Sequence, residues 1–379
     1  MKITDDWIGA PPLQQVLACL TAGGHRAYLV GGCVRNALMG LAVSDIDIAT
    51  DARPDRVVTL AQAAGLKVVP TGIDHGTVTI IAGGAPHEVT TFRQDVETDG
   101  RRAVVAYSDR LEEDAARRDF TMNALYADAA GHVIDPLGGL QDLRARHVRF
   151  VGDPNARIRE DYLRILRFFR FHAVYGDPDE GPDAEALAAC AAHAEGLDHL
   201  SRERIGHEMR RLLAARDPAP AVATMQVAGV LAHVLPGADA RALAPLIFVE
   251  AGLEPDWLRR LASLGGAAPA AALRLSRDEA RRLEVISGLI GAANGPGEMA
   301  FRHGADLARD VLFLRAAMLE MPLPMDWCEA IAKGASAIFP VRAADLPDLS
   351  GPALGARLKE LEARWIASGF ELSRAQLLA

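Results

Sequence analysis

Hydrophobic and polar positions keep two different rhythms along this chain, and the change falls near residue 150. Before it, short β-prone runs at 27–30, 46–49, 78–81 and 87–92 alternate with stretches of helical spacing such as 54–64. Beyond about Asp153, long Ala/Leu/Arg stretches of helical period dominate, at 183–195, 202–215, 277–290 and 304–321, separated by breaks that carry Pro or Gly. The pattern predicts an α/β N-terminal part, a mixed sheet with flanking helices, followed by an all-α remainder. The Ala-rich stretch 265–273 reads as a connection between helical subdomains, and no internal repeat interrupts the scheme.

Composition narrows the class. With 379 residues, 50% hydrophobic and 24% charged, the chain buries a full core and divides into two or more domains. No apolar run approaches the roughly 18 residues of a membrane span. Met1 to Trp7 carry Asp5 and Asp6 in place of a basic stretch followed by an apolar one, so a cytoplasmic protein without membrane association is expected. Cys19, Cys33, Cys190 and Cys328 show neither a paired metal spacing nor a disulfide framework, which fits a reducing compartment. A net charge of −9 argues against a protein that coats nucleic acid by charge alone, because that mode needs a basic surface to displace counterions. Any RNA contact is then local.

The first chemical signal is Tyr28-Leu-Val-Gly31-Gly32-Cys-Val-Arg35, an apolar run that meets two glycines and then opens a helix. Glycines let backbone N–H groups approach an anion, a helix N-terminus favours negative charge, and Arg35 adds a forked, charge-assisted contact; together they outline a phosphate cradle. The same residues also suit a plain Gly-Gly turn closing a βα unit, and the Lys of a P-loop and the third spaced Gly of a dinucleotide fingerprint are missing. Next comes Ser44-Asp45-Ile-Asp47-Ile-Ala49. On a strand, Asp45 and Asp47 project from one face while Ile46 and Ile48 pack behind. Adjacent acids repel unless a cation lies between them. Two Mg2+ ions about 4 Å apart, bridged by such carboxylates, activate an attacking hydroxyl and neutralise a leaving pyrophosphate. A lone Asp-x-Asp at a strand end is as readily a solvated pair. Glu88, inside the β-prone run from His87 to Phe92, either faces water or completes the carboxylate cluster from a neighbouring strand, favouring the deprotonated hydroxyl or helping to hold the metal.

Arg117-Arg118-Asp119-Phe-Thr-Met-Asn123 gathers cations, an acceptor and a donor. Arg118 suits a triphosphate, and Asp119 and Asn123 suit ribose hydroxyls; the alternative is a solvated helix face with i,i+4 pairs. The run 158–171 reads as one helix, with Glu160, Arg164 and Arg167 on a face opposite Ile165, Leu166 and Phe169. Ordinary i,i+4 ion pairing explains that face, at a few tenths of a kcal/mol per pair. The sharper reading has Asp161 and Arg164 presenting fixed donors and acceptors to a nucleobase edge. From Arg144 to Arg170 eight arginines stand against three acids, an excess of five positive charges in an acidic protein, which marks the region for phosphate contacts. The eleven histidines are scattered without ligand spacing and are assigned no catalytic role.

In this order and spacing, Gly31-Gly32-Cys-Val-Arg35, Asp45-Ile-Asp47, Arg117-Arg118-Asp119-Phe-Thr-Met-Asn123-Ala and Glu160-Asp161-Tyr-Leu-Arg164-Ile-Leu-Arg167 resemble the class II tRNA nucleotidyltransferases, the CCA-adding enzymes, and their relatives the bacterial poly(A) polymerases. The resemblance covers about residues 25–210 and ends on Leu200-Ser-Arg-Glu-Arg-Ile205, which is similar to the family's neck-stabilising segment. It implies a nucleotidyltransferase head over 1–145, a helical neck with a base-recognition surface over 146–215, and a helical body and tail over 216–379 that bind the acceptor end of tRNA, the last resting on position and helical texture. Carried over by position, Gly31, Gly32 and Arg35 bind the triphosphate, Asp45 and Asp47 hold the catalytic Mg2+ ions, and Glu88 is the third acid near the primer 3′-hydroxyl. Arg118, Asp119 and Asn123 hold phosphate and sugar. Asp161 and Arg164 pair with the base of CTP or ATP, with Arg167 and Arg170 supporting that surface. Thr98-Asp-Gly-Arg-Arg-Ala103 resembles the family's mobile loop, and Asp135-Pro-Leu-Gly-Gly139 the connector between head and neck.

The activity so implied is template-independent addition of CCA to the 3′ end of tRNA from CTP and ATP, with Mg2+ as cofactor and no obligate protein partner. Poly(A) polymerases usually carry a strongly basic C-terminal extension; residues 371–379 are not of that kind, which favours CCA addition, with C-only or A-only addition left open. A small-molecule nucleotidyltransferase would share the Gly-Gly and Asp-x-Asp parts but has no need of the helix at Glu160. A catalytically dead RNA-binding module would lack one of the metal acids. No His-Asp doublet marks an appended phosphohydrolase domain.

Overall fold

In a computed structural model the chain forms two compact units, 1–234 and 235–379, and the structure describes residues 1–69, 72–73, 76–98 and 103–379. The expected mobile loop, Thr98 to Ala103, therefore has its centre, Asp99 to Arg102, outside the described residues. The head and neck of the sequence reading lie together in the first unit, and the chain divides between Val234 and Leu235.

The strands are β1 (Ala27–Val30), β2 (Asp47–Thr50), β3 (Lys67–Val69), β4 (Thr77–Ala82), β5 (Ala85–Thr91), β6 (Arg93–Thr98), β7 (Ala103–Tyr107), β8 (Tyr126–Ala127) and β9 (Val133–Ile134). Seven of them form a mixed sheet in the order β3-β4-β5-β2-β1-β8-β9, and β6 pairs with β7 in a separate ribbon. Central β2 runs antiparallel to β1 and parallel to β5. A parallel neighbour requires a crossover, and α3 (Pro54–Ala63) with β3 and β4 supplies it. The helix α1 (Pro11–Ala22) opens on prolines, which forfeit no hydrogen bond there, and buries Leu13, Val16, Leu17 and Leu20 along one stripe. That stripe and Val57 and Ala61 of α3 pack on β4 and β5, at about 2 kcal/mol per fully buried leucine. Along β5, His87, Val89 and Thr91 turn inward and Glu88 outward. Helices thus close one face of this part of the sheet and leave the acid on the other.

His87 sits inward opposite Ile80, 5% exposed, and neither ring nitrogen finds a hydrogen-bond partner among the described residues. Burial holds its pKa below the usual histidine value. Below about pH 6.5 the unfolded chain protonates this residue while the folded chain resists, so the unfolded state binds more protons and stability falls as pH falls. His87→Leu should raise Tm at pH 7 by roughly 2–4 °C and flatten the loss of stability between about pH 6.5 and 5. A thermal-unfolding series against pH checks both; a lower Tm at every pH would mean the imidazole has a partner worth keeping.

The rest of the first unit is helical: α2 (Gly32–Leu38), α4 (Leu111–Ala116), α5 (Gly139–Arg144), α6 (Pro154–Glu160), α7 (Leu163–Tyr175), α8 (Ala184–Ala192), α9 (Arg202–Leu213), α10 (Ala219–Val227) and α11 (Val230–Val234). The single helix expected over 158–171 is two. Asp161 is extended (φ −156°, ψ 106°), and its carboxylate accepts the Leu163 N–H at 3.1 Å, so α7 starts afresh. The Tyr162 ring beside it lies where a Cβ on residue 196 would stand, which only Gly196 permits. Both halves keep helical spacing, so periodicity alone does not register the corner. Phe168 and Phe171 of α7 pack on Phe120, 6.5 and 4.8 Å between ring centroids, and bind the helix to the head.

The second unit is helical among its described residues, with α12 (Leu243–Val249), α13 (Trp257–Leu264), α14 (Pro269–Ala272), α15 (Arg277–Ile290), α16 (Pro296–His303), α17 (Ala305–Met318), α18 (Trp327–Ser336), α19 (Gly351–Ala367) and α20 (Arg374–Leu378). The Ala-rich stretch lies inside it, around α14. Arg259 is buried between Glu250 at 2.6 Å and Asp310 at 2.7 Å, and a second core gathers Val341, Leu361, Trp365 and Leu377. No helix among the described residues is long and apolar enough to cross a membrane.

Candidate active site

The parallel pairing of β2 with β5 puts Asp47 directly beside Glu88, and the antiparallel pairing of β1 with β2 puts Val30 on the other flank of Asp47. Gly31 and Gly32 therefore follow β1 at the end of the sheet where the acids stand. Asp45 lies two residues ahead of β2, in irregular backbone, with its carboxylate accepting the Ser44 hydroxyl at 2.9 Å. Strand alternation, expected to align Asp45 with Asp47, thus does not reach it; proximity does. The Asp47 carboxyl is held above its usual range by partial desolvation and by the charges of Glu88 and Asp45, against the opposing pull of Arg118. Among the described residues no three acidic, histidine or cysteine side chains converge on one metal position. What the site offers is hard carboxylate oxygens close enough to repel, the condition that a divalent cation relieves.

Gly31 has φ 72°, and a Cβ there would stand 3.2 Å from Arg118 Nη1, so conformation and space both call for glycine. Arg118 is itself fixed: Nη2 donates to Asp114 at 3.1 Å and Nε to the Tyr126 hydroxyl at 3.1 Å. Asp114, almost fully buried, also holds Arg117 at 2.7 Å, and these cations keep its carboxyl below the usual range despite burial. A rooted positive charge thus lies beneath the glycine turn.

Of the remaining expected residues, Arg35, Asn123, Asp119, Arg167 and Arg170 come together in a largely buried polar chain. Arg35 donates to Asn123 Oδ1, to Asn36 and to the Tyr175 hydroxyl. Asn123 Nδ2 donates to Asp119 at 2.8 Å, and Asp119 also accepts the Phe120 N–H and both Nε and Nη2 of Arg167. Arg167 reaches Glu208 at 3.8 Å, and Arg170 donates to Glu208 at 2.5 Å. These donors bring the Asp119 carboxyl down to about 2 in spite of burial. Arg35, expected on a triphosphate, and Asp119 and Asn123, expected on a ribose, are joined here to each other and to α7. The Asp161 side chain pairs with Arg204 at 2.7 Å, while the Arg164 side chain donates to Glu160 at 2.5 Å and to the Arg157 carbonyl at 2.8 Å. The two residues thus flank the α6–α7 corner joined through the backbone, the Arg164 N–H donating to the Asp161 carbonyl at 3.0 Å, with their side chains on separate partners. Sequence reasoning missed Glu208, Tyr175, Asp114 and Tyr126. Only Glu208 left a signal: it shares a helical stripe with Ile205, Met209 and Leu212, and an acid on an apolar stripe needs a partner.

The description of the poly(A) polymerase head domain matches residues 27–149, and that of a probable RNA and SrmB-binding site of polymerase A matches 182–241. Over 376 residues the chain is 33% identical to the CCA-adding enzyme of Bacillus pumilus, a match covering 96% of this chain and 91% of that one. The chain belongs to the family of CCA-adding enzymes and poly(A) polymerases. Within that family it is 40% identical over 258 residues to the CCA-adding enzyme of Geobacillus thermodenitrificans, covering 67% of this chain and 59% of that one. It is 42% identical over 190 residues to human mitochondrial CCA tRNA nucleotidyltransferase 1, covering 50% and 44%, so the chain spans about half the length of these two relatives. The crystal structure of the Bacillus stearothermophilus CCA-adding enzyme in complex with CTP superposes with a TM-score of 0.75 at 28% identity over 95% of this chain and 94% of that one. The Thermotoga maritima enzyme complexed with tRNA has a TM-score of 0.73 at 18% identity over 100% and 97%, and shares the fold.

Proposed function

We propose that this chain adds CCA to the 3′ end of tRNA, joining nucleotides from CTP and ATP with release of pyrophosphate. The observation that carries the reading is the in-register pairing of Asp47 with Glu88 beside the Gly31-Gly32 turn, in a member of this family. Relatives solved with CTP and with tRNA support it. A divalent metal, taken as Mg2+, fits the carboxylate set, and Asp45 and Asp47 would hold it. When bound, it supplies activation of the RNA 3′-hydroxyl and neutralises charge on the phosphates.

The protein's own groups account for the rest. The Gly31 N–H is held by the Leu125 carbonyl at 3.1 Å, so the Gly32 N–H and the rooted Arg118 meet the triphosphate, and Glu88 orients the attacking hydroxyl or accepts its proton. The chain Arg35–Asn123–Asp119–Arg167 keeps the residues beneath the Gly31-Gly32 turn in one arrangement. Asp161 and Arg164, each restrained by a second partner, hold donors and acceptors for a base edge, so that side chains choose the nucleotide. A cytoplasmic setting goes with this reading, and all four cysteines are free thiols.

Arg164→Ala tests the base-reading step. Competition among the four nucleoside triphosphates at the first addition should show the preference for CTP falling roughly tenfold or more, with a smaller change in overall rate. An unchanged preference would remove Arg164 from base selection. The head-domain match leaves poly(A) synthesis as the second reading, separated from the first by product length.

A further inference from the structure

Tyr175 closes α7, far in sequence from the glycine turn, yet its hydroxyl accepts Arg35 Nη2 at 2.7 Å and its ring lies 4.0 Å from the Arg35 guanidinium carbon. Phe171, one turn earlier, stands 5.1 Å from the same carbon. Arg35 is 6% exposed and Tyr175 7%, so this contact is out of water, where a guanidinium needs both its hydrogen bonds and its aromatic faces. The Arg35 guanidinium in turn lies beside Gly32, 3.8 Å from where a Cβ would be, and donates to Asn123, the next member of the chain leading to Asp119. The ring fixes the plane on which the guanidinium rests. The hydroxyl fixes its rotation within that plane, and with it the amide of Asn123.

We infer that Tyr175 is a positioning residue for nucleotidyl transfer, acting through Arg35 to hold the Gly31-Gly32 turn and Asn123 in the arrangement that receives the triphosphate. The inference rests on the reaction proposed above. It separates two jobs within one side chain: the ring stabilises, and the hydroxyl orients. A residue that only filled space would tie turnover to stability; an orienting hydroxyl uncouples them. Because Tyr175 acts through Arg35 on the glycine turn and Asn123, its effect falls equally on CTP and ATP.

The test compares Tyr175→Phe and Tyr175→Ala with the unaltered chain in three measurements: Tm, kcat and KM for each nucleotide on tRNA lacking its 3′ terminus, and amide hydrogen exchange over residues 31–38. Tyr175→Ala should lower Tm and kcat together. Tyr175→Phe should restore Tm but leave kcat about tenfold low for CTP and ATP alike, with KM within about twofold, and should speed exchange over 31–38. Recovery of kcat along with Tm in Tyr175→Phe, or exchange matching the unaltered chain, overturns the inference. If the unaltered chain transfers no nucleotide, the proposed reaction fails, and exchange over 31–38 still decides whether the hydroxyl holds the turn.

Discussion

Asp47→Ala should reduce nucleotidyl transfer by about a thousandfold or more, roughly 4 kcal/mol of transition-state stabilisation, while Tm holds or rises. Asp47 opens β2 on the uncovered side of the sheet and contributes no apolar packing. Its carboxyl is held above the ordinary range by partial desolvation and by Glu88 and Asp45. A carboxyl whose folded pKa lies above its unfolded value binds more protons in the folded state, so stability falls as pH rises through that interval and the ionised group is a burden at neutral pH. Removing it relieves the repulsion. Asp45→Ala should behave alike, since the carboxylate is exposed and, among the described residues, accepts a side-chain hydrogen bond from Ser44 alone. Steady-state rates beside thermal unfolding without divalent metal make the comparison; a variant that unfolds easily, or one that keeps its activity, contradicts a metal-holding role for these acids.

Asp119→Ala should have the opposite signature. This carboxylate, 9% exposed, accepts from Asn123, the Phe120 N–H and Arg167. Truncation leaves Arg167 and Asn123 without their common acceptor, at a cost of about 3–5 kcal/mol, which lowers Tm by roughly 10 °C. Because the folded pKa of about 2 lies below the unfolded value, Asp119 contributes stability above about pH 3.9 that drains away as pH falls toward 2. Asp119→Asn keeps the shape without the charge, so its loss of stability should be smaller and its acid limb shallower than in the unaltered chain. Thermal unfolding from pH 2 to 7 measures both, and a pH-independent deficit would mean that the charge of Asp119 is not what holds Arg167.

Much of this was legible in the sequence, and the parts that were not share a cause. The strand Ala27–Val30 and the helix Arg277–Ile290 fall where the pattern put them, because each carries its own periodicity and its own stop signals. The nearness of Asp47 to Glu88 was open only as an alternative, because strand order is a property of pairing and not of either run. The two-residue strands at Tyr126 and Val133 are too short to carry a period. The arginine excess between Arg144 and Arg170 pointed to phosphate, but Arg149 pairs with Asp142, Arg167 with Asp119 and Arg170 with Glu208, acids that lie outside that window. Local charge counting does not see partners brought by the fold. Tyr175 left no trace, since a tyrosine at a helix end is ordinary until the fold brings Arg35 against it.

The most direct measurement is extension of tRNA lacking its last three nucleotides by the purified protein with Mg2+, CTP and ATP, read as product length. CCA addition requires growth by three nucleotides and then arrest, with CTP alone giving two. Long A-tracts, or no extension at all, would contradict it.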